Sequence, residues 1–441
     1  MSPGPVILSL RPAIPVDEPV EGPRRSFEVG PQTAGVRMML LTAGTRGDVE
    51  PFAALARRAV AAGHEVRLGV PDDSGVDLTG IDAVGLDLRF QGLVPEPSAP
   101  PWALARALRE VRPALRRLFA ASVRETVGYA PDVVVHHPLV LSAPMAADGL
   151  GVPRVLVELT PVATPTAAFP AAGGPTATRD LGRANRWTYA VPRAAAHLLQ
   201  PEAAPAAALL PGGIAPAARS SSRAVLMAVS PQLLPRPADW PERVHLTGAW
   251  FDDAASEALA PEVTAFLRRG PHLVATFGSM VAGDAAARAE AVVAAARAHE
   301  LRAVLLTGWG GMVLPEGLRG PDVLALRSAP LGPLLAGAAV VLHHGGAGTT
   351  HAVARAGVPS VVVPFTADQP FWAARLGRLG IAAAPLPPRR LRVGTLVPAI
   401  TDALARTARA EEVAAAMRTE RGVQHAVDVI ASLERTTTTV L

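Results

Sequence analysis

The chain has 441 residues, 49% of them hydrophobic and 18% charged, enough to bury large cores in two or three domains and too apolar for a disordered chain. Cysteine is absent, which excludes a disulfide framework, a thiol nucleophile and thiolate zinc sites. The 42 basic residues, all arginine, interleave with 38 acids for a net charge of +4, a dispersion that argues against a nucleic-acid partner.

In chain order, residues 1–35 are proline-rich and aperiodic and are expected to form a disordered arm. The N-terminus lacks the basic and apolar regions of an export signal, and no apolar run approaches the ~20 residues of a membrane span, so a cytoplasmic protein without a membrane span is expected. Val36 to Ala43 reads as a buried strand. The turn Gly44-Thr45-Arg46-Gly47-Asp48 leads into a helix with Pro51 in its first turn, and Glu65 to Val70 closes a parallel βαβ unit. An amphipathic helix over 102–127 precedes PDVVVHHPLV, a strand opening on His136 and His137, which the two-residue strand period points to opposite sides. GVPRVLVELT is a strand running into a long Pro/Thr/Ala loop, whose small apolar side chains suit a hydrophobic small molecule. Residues 201–222 read as a flexible excursion, SRAVLMAVS as the last strand of a first domain spanning 36–235, and 236–250 as a linker.

The second domain, 251–415, repeats the alternation of strand and helix. Ser279 follows its first strand and can donate to a phosphate or cap a turn; Trp309 follows the next, and Ser328 the third. The richest stretch is 339–379, AVVLHHGGAGTTHAVARAGVPSVVVPFTADQPFWAARLGRL, which reads strand, glycine loop, helix, strand, polar loop. Gly345, Gly346 and Gly348 let the backbone turn sharply, and Thr349 can cap the helix, whose unpaired N–H groups converge on one spot. The helix dipole alone is worth only ~0.3 to 2 kcal/mol to an anion. His344 can add a charge-assisted hydrogen bond of roughly 1.5 to 3 kcal/mol, so the loop can hold a diphosphate. No Asp-x-Asp pair or His/carboxylate cluster has metal-ligand spacing, so no metal is indicated. Two successive strand–helix halves imply an α/β protein of two Rossmann-like domains facing across a cleft.

HHGGAGTTHAVARAGVPSVVVPFTADQPFWA resembles, over some thirty positions, the nucleotide-sugar signature of the inverting GT-B glycosyltransferases that decorate antibiotics, macrolides and sterols. GTRGDVEP, AAGHEVRLGVP and TGAW are similar to the same family, and the resemblance covers nearly everything from Val36 onward. It implies a GT-B fold, with the final segment 416–441 a helix crossing back to the first domain. It implies a diphosphate held by Ser279, His344, Gly345, Gly346, Gly348 and Thr349, and donor-sugar hydroxyls bonded by Asp368 and Gln369. Trp309 and Ser328 fall in the nucleobase region, where Ser328 departs from a Trp that can stack on the base. Asp48 stands where the family has its general base, although an Asp in such a turn is otherwise an N-cap. His137 falls where relatives carry a supporting carboxylate, so it can orient Asp48 or relay its proton; otherwise a strand-end His is structural or lines the acceptor site. The expected activity is inverting, metal-independent transfer of a hexose or deoxyhexose from a UDP- or dTDP-sugar to a hydroxyl of a hydrophobic small-molecule acceptor. The nucleotide-sugar is a co-substrate and no cofactor is expected; a homodimer stays open. A non-catalytic homologue assisting a partner enzyme, which the altered 328–333 segment leaves open, and a nucleotide-sugar epimerase are the rival readings.

Overall fold

The computed structural model describes residues 35–90, 101–213, 221–252, 258–278, 284–308 and 311–437, side chains of 101–110, 213 and 434–437 excepted. The proline-rich arm, apart from its last residue, lies outside them, as do Ser279 and Trp309.

Strands β1 (Arg37–Leu41), β2 (Glu65–Val70), β3 (Asp82–Gly85), β4 (Val133–His136), β5 (Arg154–Glu158), β6 (Ala224–Met227) and β7 (Val244–Leu246) form a parallel sheet in the order β3-β2-β1-β4-β5-β6-β7. Strands β8 (His272–Thr276), β9 (Arg302–Leu306), β10 (Val323–Leu326), β11 (Ala338–His343) and β12 (Ser360–Val362) form a second parallel sheet, ordered β10-β9-β8-β11-β12. Central strands such as β4 and β8 are buried along their whole length, as expected where helices cover both faces of a parallel sheet.

In the first half these helices are α1 (Arg46–Ala61), α2 (Pro101–Tyr129), α3 (Ala143–Leu150), α4 (Asn185–Thr188) and α5 (Ala190–Leu199). The second half carries α6 (Pro261–Leu267), α7 (Ala285–Arg297), α8 (Leu331–Leu335), α9 (Ala347–Ala356), α10 (Gln369–Leu379), α11 (Val393–Leu404) and α12 (Thr407–Met417). The last helix, α13 (Gly422–Thr437), packs Val423, Ala426, Val427 and Ile430 into the core beneath α1, with Phe52 and Leu55. Phe169, Leu233 and Trp240 of the first half share one buried cluster with Phe371, Trp372 and Met417 of the second. This is the GT-B arrangement of two parallel α/β halves. Among the described residues no helix is long and apolar enough to cross a membrane.

Four features differ from the sequence reading. Helix α1 starts at Arg46, so Pro51 lies in its second turn; the Asp48 carboxylate, receiving the Thr45 N–H at 2.7 Å, sets that earlier start. The stretch read as linker contributes β7, only three residues long and too short for a period to register. Of residues 201–222, read as a flexible excursion, 201–213 form 3-10 turns, because Glu202 is buried against Arg112 and Arg116 while Ala206 and Leu210 pack against Val123 and Ala146, and 214–220 lie outside the described residues. Strand β3 and helices α4 and α5 are further elements that the sequence reading did not place.

Candidate active site

In open parallel sheets ligands bind beyond the carboxyl ends of the strands, where strand order reverses. The first sheet reverses between β1 and β4, whose ends carry Asp48 and His137; the second reverses between β8 and β11, whose loop carries His344 to Gly346. Helices α1 and α9, which start from those two loops, touch each other.

His137 lies beside the end of β1, its N–H donating to the Leu41 carbonyl at 2.9 Å. Its Nδ1 accepts the Leu139 N–H at 3.4 Å, so the ring proton of the neutral imidazole sits on Nε2, and Nε2 faces Asp48 Oδ1 at 3.8 Å. Burial holds His137 down at about 4, so it is neutral at pH 7 and presents that N–H toward the carboxylate. His136 Nδ1 is engaged by the His137 carbonyl at 3.2 Å, away from Asp48.

Asp48 Oδ2 receives the Thr45 N–H at 2.7 Å and the Thr45 hydroxyl at 3.1 Å. Desolvation by the surrounding protein nevertheless pushes the carboxyl up to about 6. Its side chain keeps 30% of its surface, so water moderates that shift; the direction makes Asp48 more basic than a free aspartate yet ionised at neutral pH. Gly44, at φ +135°, makes this possible: a Cβ there would stand 2.1 Å from Asp48 Oδ2.

Across the cleft, Gly345 is at φ +91° and a Cβ would press Val362 at 2.8 Å. Its N–H is spent on His343 Nδ1 at 3.2 Å, so His343 braces the loop. Gly346 caps α9, not Thr349 or Thr350, which lie inside its first turn because the helix starts at Ala347, and the Gly348 and Thr349 N–H groups have no partner among the described residues. Gly348 has open space where a Cβ would be, so its glycine answers no local steric need. The His344 ring lies between two glycines: a Cβ at Gly278 would be 3.2 Å from Cε1, and one at Gly346 2.6 Å from Nε2. Gly308 in turn admits no Cβ because the Gly278 carbonyl would be 2.4 Å away. Burial holds His344 at about 4; the Thr276 carbonyl opposes that shift without closing a hydrogen bond, and Nδ1 is left unpartnered.

Asp368 Oδ2 accepts the Ala347 N–H at 3.3 Å and the Trp372 indole N–H at 3.0 Å. Burial first and the charge of Asp48 second push it up to about 6. Asp368 therefore senses Asp48 across the cleft. Gln369 is buried, and its Oε1 accepts the Phe365 and Thr366 N–H groups at 2.7 and 3.1 Å, shaping the loop itself. The first half reaches this loop as well: the open side of Gly173 faces the Ala367 backbone at 3.7 Å. Ser328 is exposed at the end of β10, the outer strand of the sheet.

Sequence reasoning missed three contributors. Glu158, at the end of β5, is fully buried and receives the Val162, Ala163 and Thr164 N–H groups and the Thr164 hydroxyl, fixing the start of the Pro/Thr/Ala loop. A charge closing the apolar run RVLVE was its visible signal. Trp372 holds Asp368 from four residues on, a helical spacing the sequence carried, and Gly278 with Gly308 makes room for His344, which only the tertiary structure shows. Among the described residues no three His, Asp or Glu side chains group so as to hold a metal ion.

A facing pair of Rossmann-like halves, with a basic carboxylate on one and an anion-ready helix start on the other, is the layout of a GT-B sugar transferase. Residues 38–158 match the Glycosyltransferase family 28 N-terminal domain, and residues 311–433 the Erythromycin biosynthesis protein CIII-like C-terminal domain. The chain is 34% identical to the O-mycaminosyltylonolide 6-deoxyallosyltransferase of Streptomyces fradiae, over 92% of this chain and 99% of that one. It is 31% identical to the vancomycin aglycone glucosyltransferase of Amycolatopsis orientalis, over 87% and 95%. The crystal structure of the kitacinnamycin glycotransferase shares the fold at a TM-score of 0.66 and 21% identity, covering 90% of this chain and 99% of its own. The protein belongs to this family of antibiotic glycosyltransferases.

Proposed function

We propose that the protein moves a hexose or deoxyhexose from a UDP- or dTDP-sugar to a hydroxyl of a hydrophobic natural product such as a macrolide, polyketide, glycopeptide or sterol, with inversion and without a metal ion. The observation that carries this is the meeting of α1, which bears Asp48, with α9, which starts from the donor loop, so that the carboxylate and the loop face one cleft. The relatives' names, a deoxyallosyltransferase and a glucosyltransferase, support the sugar class.

In this reading the acceptor hydroxyl gives its proton to Asp48, and its oxygen attacks the anomeric carbon from the face opposite the diphosphate. The bond from that carbon to the phosphate oxygen breaks, and its electron pair leaves with the diphosphate. The Gly348 and Thr349 N–H groups, the helix dipole and the His344 ring stabilise that departing charge. Thr45 orients Asp48, and neutral His137, whose Nε2 stands 3.8 Å from Oδ1, faces it without a hydrogen bond. Asp368 accepts from donor-sugar hydroxyls, and the loop shaped by Glu158 lines the acceptor side. Ser279 and Trp309 are assigned to the diphosphate and the nucleobase on resemblance alone.

The test is a screen of UDP- and dTDP-hexoses against a panel of aglycones with a metal chelator present. Release of nucleoside diphosphate should require acceptor, and the product should carry the opposite anomeric configuration. Retained configuration sinks the mechanism. Conversion of the donor sugar without acceptor marks an epimerase instead.

A further inference from the structure

We infer that His351 is a positioning residue: its imidazole ties the donor-sugar loop to the first half of the molecule, so that Asp368 is set only when the two halves are seated on each other. The inference rests on the donor-site reading above for its consequence and on independent geometry for its existence.

His351 lies on α9, is 3% exposed, and belongs neither to the diphosphate loop nor to the pair at Asp48. Its Nδ1 meets the Ala347 carbonyl at 2.7 Å, and its Nε2 meets the Ser230 backbone N–H at 3.3 Å. A carbonyl only accepts and an amide N–H only donates, so one tautomer fits: Nδ1 carries the proton and Nε2 the lone pair. Ser230 follows β6 in the first sheet, and α9 belongs to the second half, so this single ring joins a backbone group of each half.

Both ends of the tie are anchored. Ser230 is fully buried, its hydroxyl donates to Glu420 at 2.6 Å, and its carbonyl receives the Leu233 and Leu234 N–H groups at 3.1 and 2.9 Å. Arg375 of α10 donates to the Leu233 carbonyl, clamping the same turn from the second half. On the other side, Ala347 accepts from His351 through its carbonyl while its N–H donates to Asp368 at 3.3 Å. The His351 ring also stands edge-on to Trp372, with centroids 5.0 Å apart at 77°, and the Trp372 indole N–H is the second donor to Asp368. Both groups that hold Asp368 Oδ2 are therefore in contact with His351. Shifting the first half away from Ser230 frees the ring that sets both of them, and that is how closure of the cleft can be communicated to the donor sugar.

Three substitutions separate this tie from simple packing. His351→Leu removes both polar contacts. His351→Asn keeps a donor for the Ala347 carbonyl and loses the acceptor for Ser230. His351→Gln reaches far enough to accept from Ser230. Amide hydrogen exchange of the full chain, without ligand, should quicken ~10-fold or more at Ser230 and across 365–368 in the Leu and Asn variants, and return toward wild type in the Gln variant. Because Asp368 is assigned to the sugar, the Leu and Asn variants should raise the KM for UDP-glucose or dTDP-glucose ~10-fold and change the affinity for UDP or dTDP alone by less than ~2-fold. A role in packing alone lowers the melting temperature and leaves both readouts unmoved. Unchanged exchange at 365–368 in the Asn variant overturns the inference, as does failure of the Gln variant to restore it. If the wild type binds none of these nucleotides while exchange behaves as described, the donor reading fails and the tie stands. If the Leu variant does not fold, the Asn and Gln pair decides the matter alone.

Discussion

At the scale of single residues the cleft is a set of groups held away from their ordinary protonation. Asp48 and Asp368 are both pushed up to about 6, Asp48 by burial and Asp368 by burial and then by the charge of Asp48. Both carboxyls must lose their protons for the site to act, so both contribute to the acid limb. kcat/KM should fall as pH drops through about 6, and in Asp48→Asn the titration of donor binding should move to lower pH because one source of the Asp368 shift is gone. An unmoved midpoint in the variant would refute the influence of Asp48 on Asp368. The stability sign is the reverse of the usual aspartate case: each folded pKa lies above the unfolded 3.8, so the fold binds more protons between about 4 and 6 and loses stability as pH rises through that window. Removing the base outright, as in Asp48→Asn, should lower kcat by roughly 10² to 10⁴. Gly44→Ala should approach that loss with Asp48 intact, since a methyl 2.1 Å from Oδ2 must displace the carboxylate; a Gly44→Ala enzyme with wild-type kcat would mean the carboxylate is not held where it acts.

Elements explain why some of this was legible in the sequence. GTRGD and HHGGAGTT could be placed as strand end, turn and helix start because those pieces are consecutive in the chain, while the roles given to Asp48 and His344 there rest on the family resemblance. His137 meeting Asp48 needed one further step, the neighbouring of β1 and β4, which the reversal of strand order supplies. The Gly278–Gly308 cradle stayed hidden because its parts approach through tertiary packing, whereas Glu158 and Trp372 bond groups only four to six residues away, and what hid them was the loop geometry and rotamers that sequence spacing does not give. The glycines of the second loop looked alike in the sequence and differ in the structure. Gly345→Ala forces a side chain into φ +91° and against Val362, and should cost about 1 to 3 kcal/mol of stability together with donor affinity. Gly348→Ala meets nothing within 4 Å and replaces a helical glycine, so it should raise stability by about 0.5 to 1 kcal/mol. Thermal melts of the two variants check the contrast; equal destabilisation would mean that the first turn of α9 is not helical as described.

For the whole molecule, the question is whether two sheets with separate cores fold as one unit. Two observations join them: a buried cluster takes Trp240 and Leu233 from the first half and Trp372 and Met417 from the second, and α13, which follows the second half in the chain, completes the core of the first. Val423, Val427, Val429 and Ile430 of α13 each stand to lose about 1.5 to 3 kcal/mol of burial if the helix is removed. Their sum rivals the ~5 to 15 kcal/mol by which a protein is stable at all. A chain ending at Arg421 should therefore leave α1 and the β1–β4 region uncovered, and the first half should not hold its native packing. The shared cluster then carries the loss across: with Trp240 and Leu233 no longer seated, Trp372 loses its packing, and Asp368 one of its two donors. In calorimetry the full chain should melt in one transition, the truncated chain should lose it, and Ile430→Ala, which removes only part of one contact, should keep a single transition at a lower midpoint, by about 2 to 5 kcal/mol. Two independent transitions in the full chain, with the later one surviving truncation unchanged, would show that the halves fold separately and that α13 serves the first half alone.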